Sequence, residues 1–490
     1  MQVAVTKNLI MLTRGAEELL LANAVDLKTL YIQRGRDYVK QFLDVANRLG
    51  TVAAIQEAFP QDVQLLDMLL AHGIMVEAGA EEGSSPGDVL AEIAKRDRLK
   101  GMSVFLLLSQ SCNLGCIYCL NGKMSYQTGK HLKMQPEVAL QSVERSLKAL
   151  EPDGRLEIVF FGGEPLLNWP LAKEVILYGE KLRQERFPDK QIRYFLTSNL
   201  TFLPADFIDW AQKYQIGILC DVDGPPEIHN RCRPYKDGRP SHGVIVNNIH
   251  QLTEAGLTVG LRATITALNQ DYLPDIARHH QEIGGAGCAF VPVCPINSDE
   301  ELLPDELVPS PDRVIQGVAQ VYHSKVWDTP DLFPFSTLAT SLTPGERTVV
   351  ACGAPYGTAA VVDVQGDVYP CIYLVGVKRF YVGNILHQDY PDQRLLDGLM
   401  ASCHVDHLED CRDCVWRYYC GGGCPIRRMT IFTNPQATPK IINYCKQMYC
   451  DYTQKILELL LWERAEKTAL ALEEGEIQQQ DKEPVTPAFC

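Results

Sequence analysis

Between residues 100 and 300 short apolar runs alternate with helical stretches, and no other feature limits the fold as strongly. SVFLLLSQ, LEIVFFGG, IRYFLTSN, IGILCDVDG, VGLRATIT and CAFVPV read as strands. PEVALQSVERSLKALE and PLAKEVILYGEKLRQERF lie between them and repeat their apolar residues at helical spacing. Strands that alternate with helices can bury both faces only as a parallel α/β sheet or barrel. Polar residues and glycines close these strands, where barrel active sites are built.

The remainder divides around this block. With 490 residues the chain exceeds one ordinary domain. Residues 1–80 combine strand-like runs (LIMLTRG, ELLLANAVD, LYIQRG) with three short helical segments stopped at Gly50 and Gly73, a winged-helix-like pattern. Residues 81–100 read as a linker and 101–300 as the α/β block. Residues 301–349 are Pro-rich and irregular, and 350–455 form a cysteine-dense, loop-rich domain. Residues 456–490 comprise a helix and a polar tail.

A net charge of −15 without a Lys/Arg-rich block argues against a nucleic-acid partner. No apolar run approaches the roughly 18 residues of a membrane span, and the N-terminus lacks a signal peptide's apolar core. The expected location is cytoplasmic. There, 17 cysteines point to metal or redox chemistry rather than disulfides.

Two stretches concentrate the thiols. In SQSCNLGCIYCLNG, Cys112, Cys116 and Cys119 follow the first strand as C-x3-C-x2-C. Three thiolates on one loop can hold three irons of a 4Fe–4S cube and leave the fourth open. A structural zinc loop or buried apolar cysteines are the alternatives, although zinc would need a fourth ligand from elsewhere. The second stretch runs Cys352, Gly366, Cys371, then C-x2-C-x5-C-x3-C through Cys411, Cys414, Cys420 and Cys424, with Cys445 and Cys450 beyond. A two-site zinc domain is the alternative there.

The first motif, with Tyr118 before its last cysteine, resembles the radical S-adenosylmethionine (radical SAM) superfamily. FFGGEPLL, LTSNLT, DVDGPPEIHNRCR and LRATIT follow at successive strand ends in that family's order. The resemblance covers about residues 100–300 and implies a partial (β/α)6 barrel with a SAM-binding 4Fe–4S cluster on Cys112, Cys116 and Cys119. It implies that Gly162 and Gly163 let the backbone approach SAM and that Glu164 accepts from the SAM ammonium. It places Ser198, Asn199 and Asp223 near the ribose or carboxylate, and Tyr118 near the adenine, with core packing as the alternative for Tyr118. Arg262 would meet the SAM carboxylate or form a structural ion pair.

The second stretch resembles the SPASM extension of radical SAM enzymes. That resemblance implies two auxiliary 4Fe–4S clusters, the first on Cys352, Cys371 and Cys424. The second would use Cys411, Cys414, Cys420 and either Cys445 or Cys450. The fourth ligand of the first would be Cys403 or an open iron. Residues 1–80 resemble the recognition element of enzymes that modify ribosomally made peptides, which implies a precursor peptide whose leader adds as a strand to an exposed sheet edge.

Together these features resemble peptide maturases that form thioether or other cross-links, supplied with electrons by a flavodoxin or ferredoxin. Formylglycine formation, as in sulfatase maturases, is the chief alternative. That branch places an aspartate directly after the second SPASM cysteine, where this chain has Ile372. Epimerisation and backbone excision also remain open. A non-catalytic iron–sulfur protein is a remote alternative.

Overall fold

The structure, a computed structural model, describes residues 1–33, 35–79, 100–119, 133–297, 300–388 and 390–473. The linker expected at 81–100 and the tail after residue 473 therefore fall almost wholly outside the described residues.

Residues 1–79 open with β1 (Val3–Val5), β2 (Leu9–Arg14), β3 (Glu18–Asn23) and β4 (Lys28–Ile32). Helices Arg36–Leu49, Val52–Ala58 and Val63–Ala71 follow, then β5 (Met75–Glu77). β2, β3 and β4 form an antiparallel sheet, and β1 pairs with β5. The run ELLLAN in β3 is apolar on both faces because both are covered. Leu19 and Leu21 pack on Phe42, Leu43 and Leu69 of the helices. Leu20 and Ala22, on the opposite face, join a core shared with Tyr418, Leu460 and Trp462. The unit is thus built into the body of the protein rather than tethered beside it.

All six strands expected in the central block form. They are β6 (Gly101–Ser109), β7 (Arg155–Gly162), β8 (Gln191–Ser198), β9 (Gly217–Asp221), β10 (Val259–Ile265) and β11 (Cys288–Pro292). They lie side by side in chain order, every pair parallel. The helix Pro136–Ala149 shows why the intervening stretches are helical. Pro136 occupies its first turn, where the missing N–H costs nothing, and Val138, Ala139, Val143 and Leu147 make one buried stripe against the sheet.

The sheet continues past the six strands on both sides. β12 (Leu332–Phe333) extends it beyond β11. On the other side β13 (Ala359–Val362) pairs parallel to β6, followed by β14 (Asp367–Tyr369) and β15 (Gly383–Asn384). The order β12-β11-β10-β9-β8-β7-β6-β13-β14-β15 has two ends, so the barrel is open.

Residues 301–349 depart from the irregular expectation: they contain helices Pro311–Ser324 and Phe335–Thr340. Val314, Val318, Val321 and Tyr322 recur at helical spacing, and Pro311 starts the helix rather than breaking it. Helices Gln393–Cys403, Arg417–Cys420, Pro425–Ile431 and Pro439–Tyr449 frame the later cysteines. The long helix Asp451–Glu473 packs against both the body and the N-terminal sheet. No helix among the described residues is long and apolar enough to cross a membrane.

Candidate functional site

The polar ends of β6 to β10 meet at one mouth of the open barrel. After β6 the chain turns through Cys112, Cys116 and Cys119, and residues 232–236 hold this loop. Gly115 N–H donates to Pro234 O at 2.8 Å, Ile117 N–H to Cys232 O at 3.1 Å and Lys236 N–H to Asn113 O at 3.2 Å. The three thiols share a neighbourhood: Cys112 and Cys119 thiolates would each raise the Cys116 pKa. Burial is the largest cause that pushes Cys112 up to about 11 and Cys116 higher still. No cysteine among the described residues is in a disulfide.

Two of the sulfurs receive donors. Asn199 Nδ2 lies 3.6 Å from Cys112 Sγ, and Arg233 Nη1 lies 3.8 Å from Cys116 Sγ. Among the described residues no three His, Cys, Asp or Glu side chains converge tightly enough to hold one metal ion. A cluster asks for less, because each thiolate takes its own iron. An all-sulfur donor set with N–H groups aimed at the sulfurs fits a 4Fe–4S cube.

The glycines at the end of β7 have a local packing task. A Cβ on Gly162 would stand 2.4 Å from Ser109 O, and one on Gly163 would stand 2.4 Å from Ser111 O. Both are impossible approaches, so the two glycines let β7 press against the base of the thiol loop. Gly163 N–H then donates to Ser109 O at 2.7 Å and Glu164 N–H to Ser111 O at 2.8 Å.

Glu164 is 1% exposed. Its carboxylate accepts from Leu166 N–H at 3.0 Å, Ser198 Oγ at 2.8 Å and Asn199 N–H at 2.9 Å. Burial still raises its pKa to about 7, because three neutral donors do not replace lost water. Asn199 continues the network, donating to Asn113 Oδ1 at 2.9 Å and accepting from Thr201 Oγ1 at 2.6 Å. Ser198, Asn199 and Glu164 therefore tie the ends of β7 and β8 to the cysteine loop.

Asp223, just past β9, accepts from the Tyr118 hydroxyl, from Arg233 Nε at 3.1 Å and from Thr264 N–H at 3.0 Å. Arg262 on β10 forks onto Asp221, with Nε 2.6 Å and Nη2 3.1 Å from its oxygens. Burial would raise the Asp221 pKa, but the Arg233 and Arg262 charges outweigh it and hold the group at about 2. Of the two roles open to Arg262, the described contacts show the ion pair. Asp221, Arg233, Thr264 and Asn113 belong to this site although none was singled out beforehand. The spacing of Asp221 and Asp223, two apart at a strand end, was the available signal for the first.

The later cysteines form two groups. Cys352, Cys371 and Cys424 pack on one apolar cluster with Leu374, Phe380 and Leu399. Cys403, 1% exposed, faces Cys424 closely enough that a Cys424 thiolate would raise its pKa. Cys420 stands near Cys414, Cys411 and Cys450. Cys450 likewise stands near Cys411 and Cys414, whereas Cys445 lies in the core beside Ile441, Tyr444 and Met448. Cys450 thus stands with the second group of thiols. Donors again point at sulfur: Gly422 N–H at 3.4 Å from Cys420, and Arg428 Nη1 at 3.7 Å from Cys411.

Comparison with known proteins gives this site a class. Residues 106–280 match the Radical SAM superfamily model. Residues 106–280 thus carry a radical SAM domain, the protein is an enzyme, and a domain of that kind implies SAM and a 4Fe–4S cluster.

Among individual relatives, it is 24% identical to a serine-type anaerobic sulfatase-maturating enzyme of Bacteroides thetaiotaomicron, over 70% of this chain and 86% of that one. It is 23% identical to a cysteine-type anaerobic sulfatase-maturating enzyme of Clostridium perfringens, over 64% of this chain and 86% of that one. It is also 27% identical to the uncharacterized protein MJ0907 of Methanocaldococcus jannaschii, spanning 38% of this chain and 61% of that protein. In fold it resembles anSMEcpe with bound AdoMet, with a TM-score of 0.58 at 20% identity, covering 75% of this chain and 99% of that one. Streptococcus suis SuiB matches with a TM-score of 0.50 at 14% identity, over 88% and 97% of the two chains.

Proposed function

We propose that this protein is a radical SAM maturase that modifies a residue of a ribosomally made peptide, forming a thioether or other cross-link. The observation that carries the reading is the gathering of Cys112, Cys116, Cys119, Glu164, Asn199 and Asp223 at one end of a parallel sheet that also contains β13 of the cysteine-rich region. Cys112, Cys116 and Cys119 would hold the SAM-binding cluster. Cys352, Cys371 and Cys424 would hold a first auxiliary cluster; Cys411, Cys414, Cys420 and Cys450 would hold a second. With SAM, a cluster held by Cys112, Cys116 and Cys119 would supply radical chemistry able to take hydrogen from unactivated carbon, which acid–base chemistry at ordinary pKa values cannot do.

The protein's own contribution is placement. The network of Glu164, Ser198, Asn199 and Asn113 fixes the thiol loop against two strand ends. Asp221, Asp223, Arg233 and Arg262 supply an ordered polar wall. The leader of the precursor would add to an edge of the β2–β3–β4 sheet, where backbone groups recognise an extended chain. A flavodoxin- or ferredoxin-type protein would supply electrons.

Formylglycine formation is the second reading, and the similarity to sulfatase-maturating enzymes over 86% of their length favours it. Against it stands Ile372 after Cys371, which leaves that position without a carboxylate base. Mass spectrometry of co-expressed candidate peptides tests the choice. Cross-linking removes two hydrogens per bond and leaves no carbonyl reagent target. Oxidation of Ser to formylglycine also removes two hydrogens, but the aldehyde reacts with a hydrazide. A hydrazide-reactive product would displace the cross-linking proposal.

A further inference from the structure

Arg233 is held more completely than an ion pair requires. Its side chain is 8% exposed and lies between the end of β9, β10 and the thiol loop. Nε donates to Asp223 Oδ2 at 3.1 Å and Nη2 to Thr264 Oγ1 at 3.2 Å. Nη1 stands 3.4 Å from Asp221 Oδ2 and 3.8 Å from Cys116 Sγ. The guanidinium also lies 5.3 Å over the Tyr118 ring. A planar fork can meet several such partners at once; a lysine ammonium cannot.

We propose that Arg233 sets the reduction potential of the cluster that Cys112, Cys116 and Cys119 hold, by donating to the Cys116 sulfur. The assignment rests on the radical SAM reading and deepens it. An N–H aimed at a ligand sulfur draws electron density from the thiolate and favours the more negative, reduced cluster. The two aspartates act through Arg233: they fix its plane so that Nη1 remains on the sulfur. Their charges also explain why the arginine matters. Without it, two buried carboxylates would face the thiol loop with only Arg262 to offset them. Arg233 is in this sense a positioning and tuning residue, since it acts through Cys116.

The test uses the full chain, anaerobically reconstituted and titrated with dithionite through redox mediators. The electron paramagnetic resonance signal that changes when SAM is added identifies the relevant cluster among the several the chain would carry. R233Q should move the midpoint of that signal to a more negative potential and leave the SAM-insensitive signals in place. R233K, which keeps a positive charge and loses the fork, should move it part of the way. An unchanged midpoint in R233Q at wild-type iron content overturns the assignment. Should R233Q fail to load iron, R233K and Thr264→Val decide: a downward shift in either supports the assignment, and none in both overturns it. Wild-type protein with no SAM-responsive signal would sink the radical SAM reading itself, a distinct result.

Discussion

Ser198 donates to Glu164 across two neighbouring strand ends, Oγ to Oε1 at 2.8 Å. Every strong acceptor position of that carboxylate points at the protein, and the group is buried. Burial, in spite of these donors, pushes its pKa up to about 7 from an ordinary 4.5. Between these values the native chain binds the proton more tightly than the unfolded chain. Stability from this group is thus present at low pH and falls as pH rises from 4.5 through about 7, by about 3 kcal/mol in all. In Glu164→Gln that component of the slope should vanish. The amide would also leave at least one of three N–H or O–H donors unmatched, at a cost of about 1–3 kcal/mol. Urea denaturation of both proteins at several pH values checks this; a wild-type minus variant difference that does not change with pH contradicts it.

Replacing Cys112, Cys116 or Cys119 by Ala should abolish 5′-deoxyadenosine formation and lower bound iron by about four atoms per chain. Chromatography of reaction mixtures and an iron assay read both effects. SAM cleavage that persists in any of the three variants is incompatible with the assignment.

Cys450→Ala and Cys445→Ala should behave oppositely. The first removes a thiol that stands with Cys411, Cys414 and Cys420, so the chain should lose about four irons. The second removes a core thiol and should keep full iron while unfolding at lower temperature. The reverse pattern of iron contents would assign the late ligand to Cys445.

Trp462→Ala should loosen the N-terminal unit. Trp462 is 6% exposed, Tyr31 of β4 meets it edge-on at 5.9 Å, and the Arg14 guanidinium lies 4.7 Å over its ring. Truncating a buried tryptophan costs about 3–5 kcal/mol. Calorimetry should show a large drop in melting temperature, and weaker binding of the precursor peptide should accompany it. A near-neutral substitution would mean that the unit is held elsewhere.

The sequence made the parallel core legible because each strand of 101–292 carries its own apolar run and helical partner. It made the thiols legible because ligands on a short loop keep a fixed spacing. It was silent on Arg233, which reaches Cys116 across 117 residues of chain and is one arginine among many. It misled on Pro311, since a proline that starts a helix looks the same in one dimension as one that ends it. It could not separate Cys445 from Cys450, because which of them stands beside Cys411 depends on how the helix Pro439–Tyr449 ends. Nor could it show that β3 is covered on both faces, a fact that belongs to the long helix more than four hundred residues away.

β13 lies hydrogen-bonded along β6, Ala360 opposite Val104 and Val362 opposite Leu106. The same ladder strand that leads into the Cys112 loop therefore anchors the segment between Cys352 and Cys371. The separation of the two sets of thiols is thus tied to one strand register. A charge crossing from one set to the other would traverse a gap fixed when the chain folds, and an insertion in β13 would detune that gap without touching a single sulfur.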